Sequence, residues 1–328
     1  MLEQPVVVAA RRRINLGFLR KYAVVFVLLM LVLLFSLVSG SFFTLRNFSN
    51  IITQNTYFII VAIGLSFVLI SGGIDLSIGY MMSLVGVLTA MMMVLWHFPV
   101  WAAIILGLVL GTALGLTNGL IVTRIRTFPL IVTLATSVIF QGISYIVSQA
   151  RTFRSYPESF QFITKARLWG IPFDVYLTFF IVVVVAFIYY RTRWGIRVVA
   201  LGGNEEGLRL AGVNTRRIKT LVYVVCGFMS AVAAIVMISK ANSTQSSFGP
   251  GTEFTALTAA IVGGVSFLGG EGNIPALVAG VFVLAVLGNG MQLAGWGSYA
   301  QFIVRGVILL AAVAFDEYQK SLKMRVKR

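Results

Sequence analysis

An all-α polytopic membrane protein, with about ten transmembrane helices in two inverted five-helix halves, is the fold class this sequence predicts. Three observations predict it. The 328 residues are 59% hydrophobic and 11% charged, with a mean hydropathy of +0.94. A soluble domain carries roughly 25% charged residues, so a water-soluble fold of this length could not cover so much apolar surface. Apolar runs recur along the chain, most of them near the roughly 20 residues that cross a hydrocarbon core. Two of these runs are interrupted by glycine-rich polar stretches, one in each half of the chain.

The runs fall at 22–40, 56–71, 78–96, 100–121, 129–149, 173–190, 220–240, 255–268, 274–293 and 299–315. The first has a basic start and a small-residue end at Val38–Gly40. Its apolar core exceeds the 7–15 residues usual in a signal peptide, so it is expected to stay as an uncleaved span. Residues 41–55 mix aromatics with Asn and Gln and suit an outer interfacial helix. In the fourth run Gly107, Gly111, Gly115 and Gly119 recur every four residues and give a flat face for another helix. That helix could belong to this chain or to a partner subunit. No Pro- or Ser-rich linker divides the chain, so residues 1–328 read as one transmembrane domain. Its two long polar gaps are an outer loop at 150–172 and an inner loop at 191–219.

Charge sets the orientation. Arg11, Arg12, Arg13, Arg20 and Lys21 precede the first run, and Arg124 and Arg126 follow the fourth. Seven basic residues lie in 191–219 and five in the tail, whereas only six fall in the alternate gaps. Such asymmetry places both termini in the cytoplasm. It also explains the formal net charge of +16 without nucleic acid, because the basic residues sit in short gaps between spans.

The interruptions read SGGIDLSIG at 71–79 and VGGVSFLGGEGN at 262–273, each with a small-residue pair before an acid, Asp75 or Glu271. Five crossings per half invert the second half relative to the first. Corresponding breaks in two inverted halves point to a translocation route, since freed backbone groups are tolerated where they line a polar cavity or are buried in protein. Two ordinary tight turns at the membrane surface are the plainer reading. Asp75 can be an interior acid, a helix cap, or both. Arg305 lies six residues into the last run, where it can snorkel outward or make a buried ion pair or solute contact. Candidates for lining a route are Ser71, Asp75, Ser77, Asn118, Gln141, Asn289 and Gln292, which are polar groups within apolar segments. Several could equally be helix–helix glue.

In the inner loop, NEEGLRLAGV at 204–213 reads as a short capped helix. Asn204 suits the N-cap, Glu205 and Glu206 suit the first turn, and Arg209 suits the far end. Gly212 can terminate the helix, while Leu208, Leu210 and Ala211 offer apolar contacts. It is either an ordinary surface helix or a docking helix for a soluble partner.

Three stretches together resemble the ribose-type sugar permeases, the membrane subunits of ATP-driven importers. They are SGGIDLSIG at 71–79, TRWGIRVVALGGNEEGLRLAGVNTRRIK at 192–219, and IVGGVSFLGGEGN at 261–273 continuing through NGMQLAG at 289–295 to near Asp316. The resemblance spans nearly the whole chain. It implies a permease in the bacterial cytoplasmic (inner) membrane, paired with a second copy or a paralogous permease. It implies a cytoplasmic ATP-binding-cassette ATPase that holds the ATP-Mg, and an extracytoplasmic sugar-binding protein. It also implies that Asn204, Glu205, Glu206, Leu208, Arg209 and Gly212 couple the ATPase to the membrane. The chain departs from the family pattern at Glu253-Phe254-Thr255, Gly264-Val265-Ser266, Ile196, Val199 and Pro275, which leaves the solute and the homo- or heterodimer open.

No phosphate-binding loop is present, so this chain is expected to bind no ATP and to hold no cofactor of its own. There is no GxSxG or HExxH motif. The single cysteine, Cys226, reads as a small packing residue, and the single histidine, His97, as an interfacial anchor beside Trp96 and Trp101. The expected function is therefore passage of a sugar or polyol, with no catalytic residue and no metal site in this chain. The rivals are an ion-coupled secondary sugar transporter, whose acid relay would rest on Asp75 and Glu271, and a non-transporting scaffold.

Overall fold

The computed structural model describes residues 16–125 and 127–326, with side chains described between 23 and 318. The charges counted at Arg11, Arg12, Arg13, Arg126, Lys327 and Arg328 lie outside the described residues. So do the side chains of Arg20, Lys21, Lys320, Lys323 and Arg325.

Helices dominate. In chain order they are α1 (Leu16–Val38), α2 (Leu45–Gln54), α3 (Thr56–Ile70), α4 (Ile78–Val94), α5 (Val100–Ile125), α6 (Pro129–Ser148) and α7 (Glu158–Lys165). There follow α8 (Phe173–Arg191), α9 (Arg193–Gly203), α10 (Glu205–Leu210), α11 (Thr215–Ala241), α12 (Thr252–Val262), α13 (Ile274–Leu293) and α14 (Ser298–Val326). The strands are two-residue pieces. β1 (Phe153–Arg154) pairs with β4 (Ser243–Thr244), and β2 (Arg167–Leu168) pairs with β3 (Ile171–Pro172), both antiparallel.

Six helices, α5, α6, α8, α11, α13 and α14, are long and apolar enough to cross a membrane. The pair α2 and α3, bent by 43° at Asn55, makes a seventh. The apolar stretch Ala23–Val38 of α1, together with α4 and α12, is shorter. Every expected run has a helix under it, so the all-α membrane class stands, but length alone does not deliver ten spans.

The largest correction is at the eighth run. Instead of a helix over 255–268, α12 has 11 residues, Thr252–Val262, or about 16 Å at 1.5 Å per residue. That is about half of a 30 Å hydrocarbon core. Its start is set by Gly251 at φ 95° and its end by Gly264 at φ 79°, a backbone conformation that glycine adopts without a Cβ clash. Residues 242–251 run non-helically beside α4 instead, where the Gly249 N–H donates to Ser83 Oγ at 2.9 Å.

α11 is the central helix, with 67% of its most apolar window buried, whereas the corresponding window of α14 has no fully buried residue and packs on the core through half-buried ones such as Ile308 and Val313. The glycine face of α5 packs on α11 within the same chain. A Cβ added at Gly115 would lie 2.3 Å from the Tyr223 carbonyl oxygen, and one at Gly111 would lie 2.5 Å from Ala231 Cβ. Cys226 on α11 is a free, buried thiol, as its packing role requires. His97 sits exposed in the turn between α4 and α5 at φ 51°, near the exposed rings of Trp96 and Trp101.

Two opposite faces follow from the chain path. One carries β1–β4, α7 and the β2–β3 hairpin and is here the hairpin face. The other carries α9 and α10 and is here the basic face. On the hairpin face, burial against Phe160 pushes the Tyr156 phenol up, so it is held there as a neutral group.

Candidate functional site

The glycine-rich breaks meet on the basic face. α3 ends at Ile70, and its carbonyl accepts a hydrogen bond from the N–H of Gly270 in the second break at 2.8 Å. α9, which the sequence reading left as loop, is laid into this crossing. It is amphipathic, with Gly195, Val198 and Leu201 buried. A Cβ added at Gly202 would lie 1.9 Å from the Ile70 carbonyl oxygen and 2.6 Å from Gly270 N. α3, the second break and α9 therefore touch backbone to backbone.

The first break runs through residues 71–77 and is nearly sealed from solvent. Asp75 is fully buried and closes a local turn: its Oδ1 accepts from Ser77 N at 2.9 Å and from Ser77 Oγ at 2.6 Å. Asn118 of α5 donates to Ser77 Oγ at 2.8 Å. Asp75 Oδ2 and Asn118 Oδ1 have no hydrogen-bond partner among the described residues. Asp75 is thus an interior acid that closes an Asx turn on Ser77, while the N-cap of α4 is Ser77 and has no side-chain cap bond, so the expected helix-cap role is not what the geometry gives. Tyr223 of α11 donates to the Ile74 carbonyl at 3.2 Å, and Leu76 N–H donates to Thr133 of α6 at 3.3 Å. Ser71 donates to the Val68 carbonyl of its own helix at 2.8 Å.

The second break, residues 263–273, is held from other helices. Tyr189 of α8 donates to the Gly272 carbonyl at 3.0 Å, and the Ile274 N–H donates to Tyr190 Oη at 3.2 Å. Asp316 of α14 accepts from Ser266 Oγ at 3.1 Å and from Phe267 N at 3.0 Å.

At the hairpin-face end lies a cavity of about 510 Å³, within the roughly 300–1,000 Å³ of small-molecule sites. α2, α3, α11, α12, α13 and α14 all contribute to its wall. Gln54, Tyr57, Lys240, Asn289, Gln292, Gln301 and Arg305 supply polar groups, and Met237, Phe248, Ala259 and Leu284 supply apolar ones. Asn289 already forms a reciprocal amide pair with Asn47 of α2, at 2.9 and 3.0 Å, which ties α2 to α13. Lys240 pairs with fully buried Asp174 of α8 at 2.6 Å and also donates to Thr56 Oγ1 at 3.0 Å and to the Thr53 carbonyl. Asp174 is sealed from water while Lys240 keeps partial access through the cavity, so removing the lysine strands a buried carboxylate, a loss of up to about 3–5 kcal/mol. It fixes the α2–α3 bend against α8 and α11.

The seven polar candidates therefore fall in three places. Ser71, Asp75, Ser77 and Asn118 gather at the first break, and none of them lines the cavity. Asn289 and Gln292 line the cavity. Gln141 donates to the Ser246 carbonyl at 2.8 Å, and Ser144 and Ser148 of the same helix each lie 2.9 Å from Ser246 Oγ. Together these three pin the non-helical 242–251 segment to α6. The sequence reading did not single out Gln54, Tyr57, Gln301, Ser246 or the Lys240–Asp174 pair. For Gln301 and Arg305 the available signal was their i, i+4 spacing on one face of α14.

α10 forms as expected. Asn204 Oδ1 caps the helix by accepting from Gly207 N at 2.8 Å, and Gly212 follows it at φ 79°. Glu206 pairs with Arg209 at 2.6 Å and Glu205 with Lys219 at 2.8 Å. α10 has no buried residue, and Leu210 is 78% exposed, so apolar and charged groups are presented together. Ile196 of α9 adds a second exposed apolar group, at 66%.

Comparisons with known proteins agree with this architecture. Residues 47–313 match the family of branched-chain amino acid transport system / permease components. The ribose import permease protein RbsC of Escherichia coli (strain K12) is 32% identical over 94% of this chain and 97% of its own length. The L-arabinose transport system permease protein AraH of the same strain is 36% identical over 81% of each chain. The D-allose transport system permease protein AlsC, also of that strain, is 32% identical over 90% of this chain and 91% of its own. No solved structure matches the chain.

Proposed function

Because the chain belongs to the family of branched-chain amino acid transport system / permease components, on its ribose-type side, we propose that it is the membrane-spanning permease subunit of an ATP-binding-cassette importer. It carries a sugar or sugar-like solute into the cytoplasm. Ten helices in two inverted five-helix halves form one transmembrane domain in the bacterial inner membrane, with the basic face and both termini cytoplasmic. A second permease, identical or paralogous, completes the channel. An extracytoplasmic sugar-binding protein delivers solute to the hairpin face. ATP and magnesium are held by a cytoplasmic ATPase, and this chain holds no cofactor.

One observation carries the reading. The exposed, doubly capped α10 is joined through α9 to both glycine-rich breaks, by contacts too close for a side chain at Gly202. Movement of an ATPase docked on Asn204–Gly212 then acts directly on the breaks, and the two faces open in alternation. Solute enters at the cavity, past Gln292 and the Asn289 pair. When the breaks rearrange, it passes the polar set Ser71, Asp75, Ser77 and Asn118, while Gln141 holds the wall.

The test is charge reversal on the docking helix. In Glu205→Lys combined with Glu206→Lys, the chain should reach the membrane in normal amounts but lose sugar uptake and co-purification of the ATPase. Normal uptake in the double variant would refute the docking role. Uptake that collapses with a protonophore at constant ATP would favour an ion-coupled transporter instead.

A further inference from the structure

Arg305 is the cation of the cavity with no ion-pair or hydrogen-bond partner among the described residues; the phenol of Tyr57 lies in its field. None of the ion pairs Arg209–Glu206, Lys219–Glu205 and Lys240–Asp174 includes it. Arg305 makes no hydrogen bond among the described residues. Lys240, the other cation in the wall, is cancelled by Asp174. Gln301 lies one helical turn before Arg305 and lines the same cavity. Their polar ends converge over Gly288 of α13. A Cβ added there would lie 3.6 Å from Arg305 Nη2 and 3.7 Å from Gln301 Oε1. Gly288 therefore leaves open the space in which these two ends meet.

We propose that Arg305 is the specificity-determining residue of the cavity, gripping two adjoining hydroxyl oxygens of an uncharged polyol while Gln301 accepts from one of those hydroxyls. This rests on the cavity being the solute entry site. A guanidinium offers donors only, in a planar fork that matches two neighbouring oxygens. Its neighbours Gln54, Tyr57, Gln292 and Gln301 are neutral groups that both donate and accept. Hydroxyl groups also donate and accept, so the set complements a vicinal diol. A phosphate or carboxylate site gathers several cationic or backbone N–H donors, and here a single uncancelled cation stands among amides.

The experiment uses the whole importer, purified with its native partners and reconstituted in vesicles. Uptake is measured for D-ribose, L-arabinose and D-allose, for the deoxy analogues of whichever is carried, and for the corresponding aldonic acid. For Arg305→Gln the KM should rise about ten- to a hundredfold, the loss expected for hydrogen bonds to a charged donor, with a far smaller change in maximal rate. Arg305→Lys should fall between the two, because it keeps the charge and loses the fork. Deoxy analogues should be penalised by the wild-type protein and much less so by Arg305→Gln. Gly288→Leu displaces the guanidinium without removing it and should raise KM in the same way, which guards against a folding defect in the arginine variant.

An unchanged KM in both Arg305→Gln and Gly288→Leu would overturn the assignment while leaving the importer reading intact. So would equal penalties for the deoxy analogues in wild type and variant. Preference of the wild-type protein for the aldonic acid would overturn the uncharged class. No flux of any tested sugar in the wild-type complex would overturn the importer reading and this inference with it.

Discussion

The two glycine-rich breaks look alike in sequence and are built differently. Residues 71–77 are locked by fully buried side chains: Asn118 of α5, Thr133 of α6 and Tyr223 of α11. Residues 263–273 are half open and are held by buried Tyr189 and exposed Tyr190 of α8 and by Asp316 of α14. The Gly270 N–H donates to the carbonyl of Ile70, the residue before the first break, and α9 lies in the crease between them. The difference lies in anchorage. The first break is bonded to α5, α6 and α11, and the second to α8 and α14. A push on α9 is expected to displace the second break before the first.

Four results would break or sharpen that contrast. The largest effect is expected at the crease. Gly202→Ala places a Cβ 1.9 Å from the Ile70 oxygen and should cost about 3 kcal/mol, the upper end for overpacking. Uptake should fall below detection. Gly203→Ala, one residue on, meets nothing within 4 Å and should transport normally. Equal uptake by the two variants would dissolve the crease as a transmission point.

Next is the locked break. Asp75→Ala strands the Ser77 N–H and hydroxyl and should cost about 1–3 kcal/mol, read as a lower melting temperature in detergent. Asp75→Asn keeps an acceptor and should cost less. The held break should respond more weakly. Tyr189→Phe and Tyr190→Phe each remove one hydrogen bond, about 1 kcal/mol. Hydrogen exchange should show faster opening at 263–273 and no change at 71–77. Matched increases at both breaks would mean that they move as one body. The smallest effect belongs to the exposed Glu206–Arg209 pair, where Arg209→Ala should shift stability by less than about 1 kcal/mol in a melting curve.

The parts legible in the sequence were those with local physics. Glycine pairs beside an acid within apolar runs announce a helix end wherever they occur, so both breaks could be read. Asn204 and Gly212 flank α10 with side-chain and backbone preferences that need no tertiary contact. What stayed hidden depends on distant partners. The Lys240–Asp174 pair joins residues 66 apart in sequence, and nothing local distinguishes Lys240 from the other basic residues of the gaps. Segment 242–251 reads as an ordinary polar loop because its burial comes from Ser83, Gln141 and Ser144 on other helices. α9 was missed because its basic residues resembled a solvated linker, while its apolar stripe is three residues wide. Asn289 looked like a free polar group until Asn47, 242 residues away, turned out to occupy it.

The Lys240–Asp174 contact also changes the electrostatics of the whole molecule. Counted along the sequence, Lys240 is one of six cations on the hairpin side. In three dimensions its field is largely cancelled by the opposite charge of buried Asp174, 2.6 Å away. A membrane potential therefore finds one positive charge fewer on that side than arithmetic assigns. On the basic face Glu205–Lys219 and Glu206–Arg209 cancel two cations in the same way, but those partners stay in water, so salt screens them far more than it screens the carboxylate buried against Lys240.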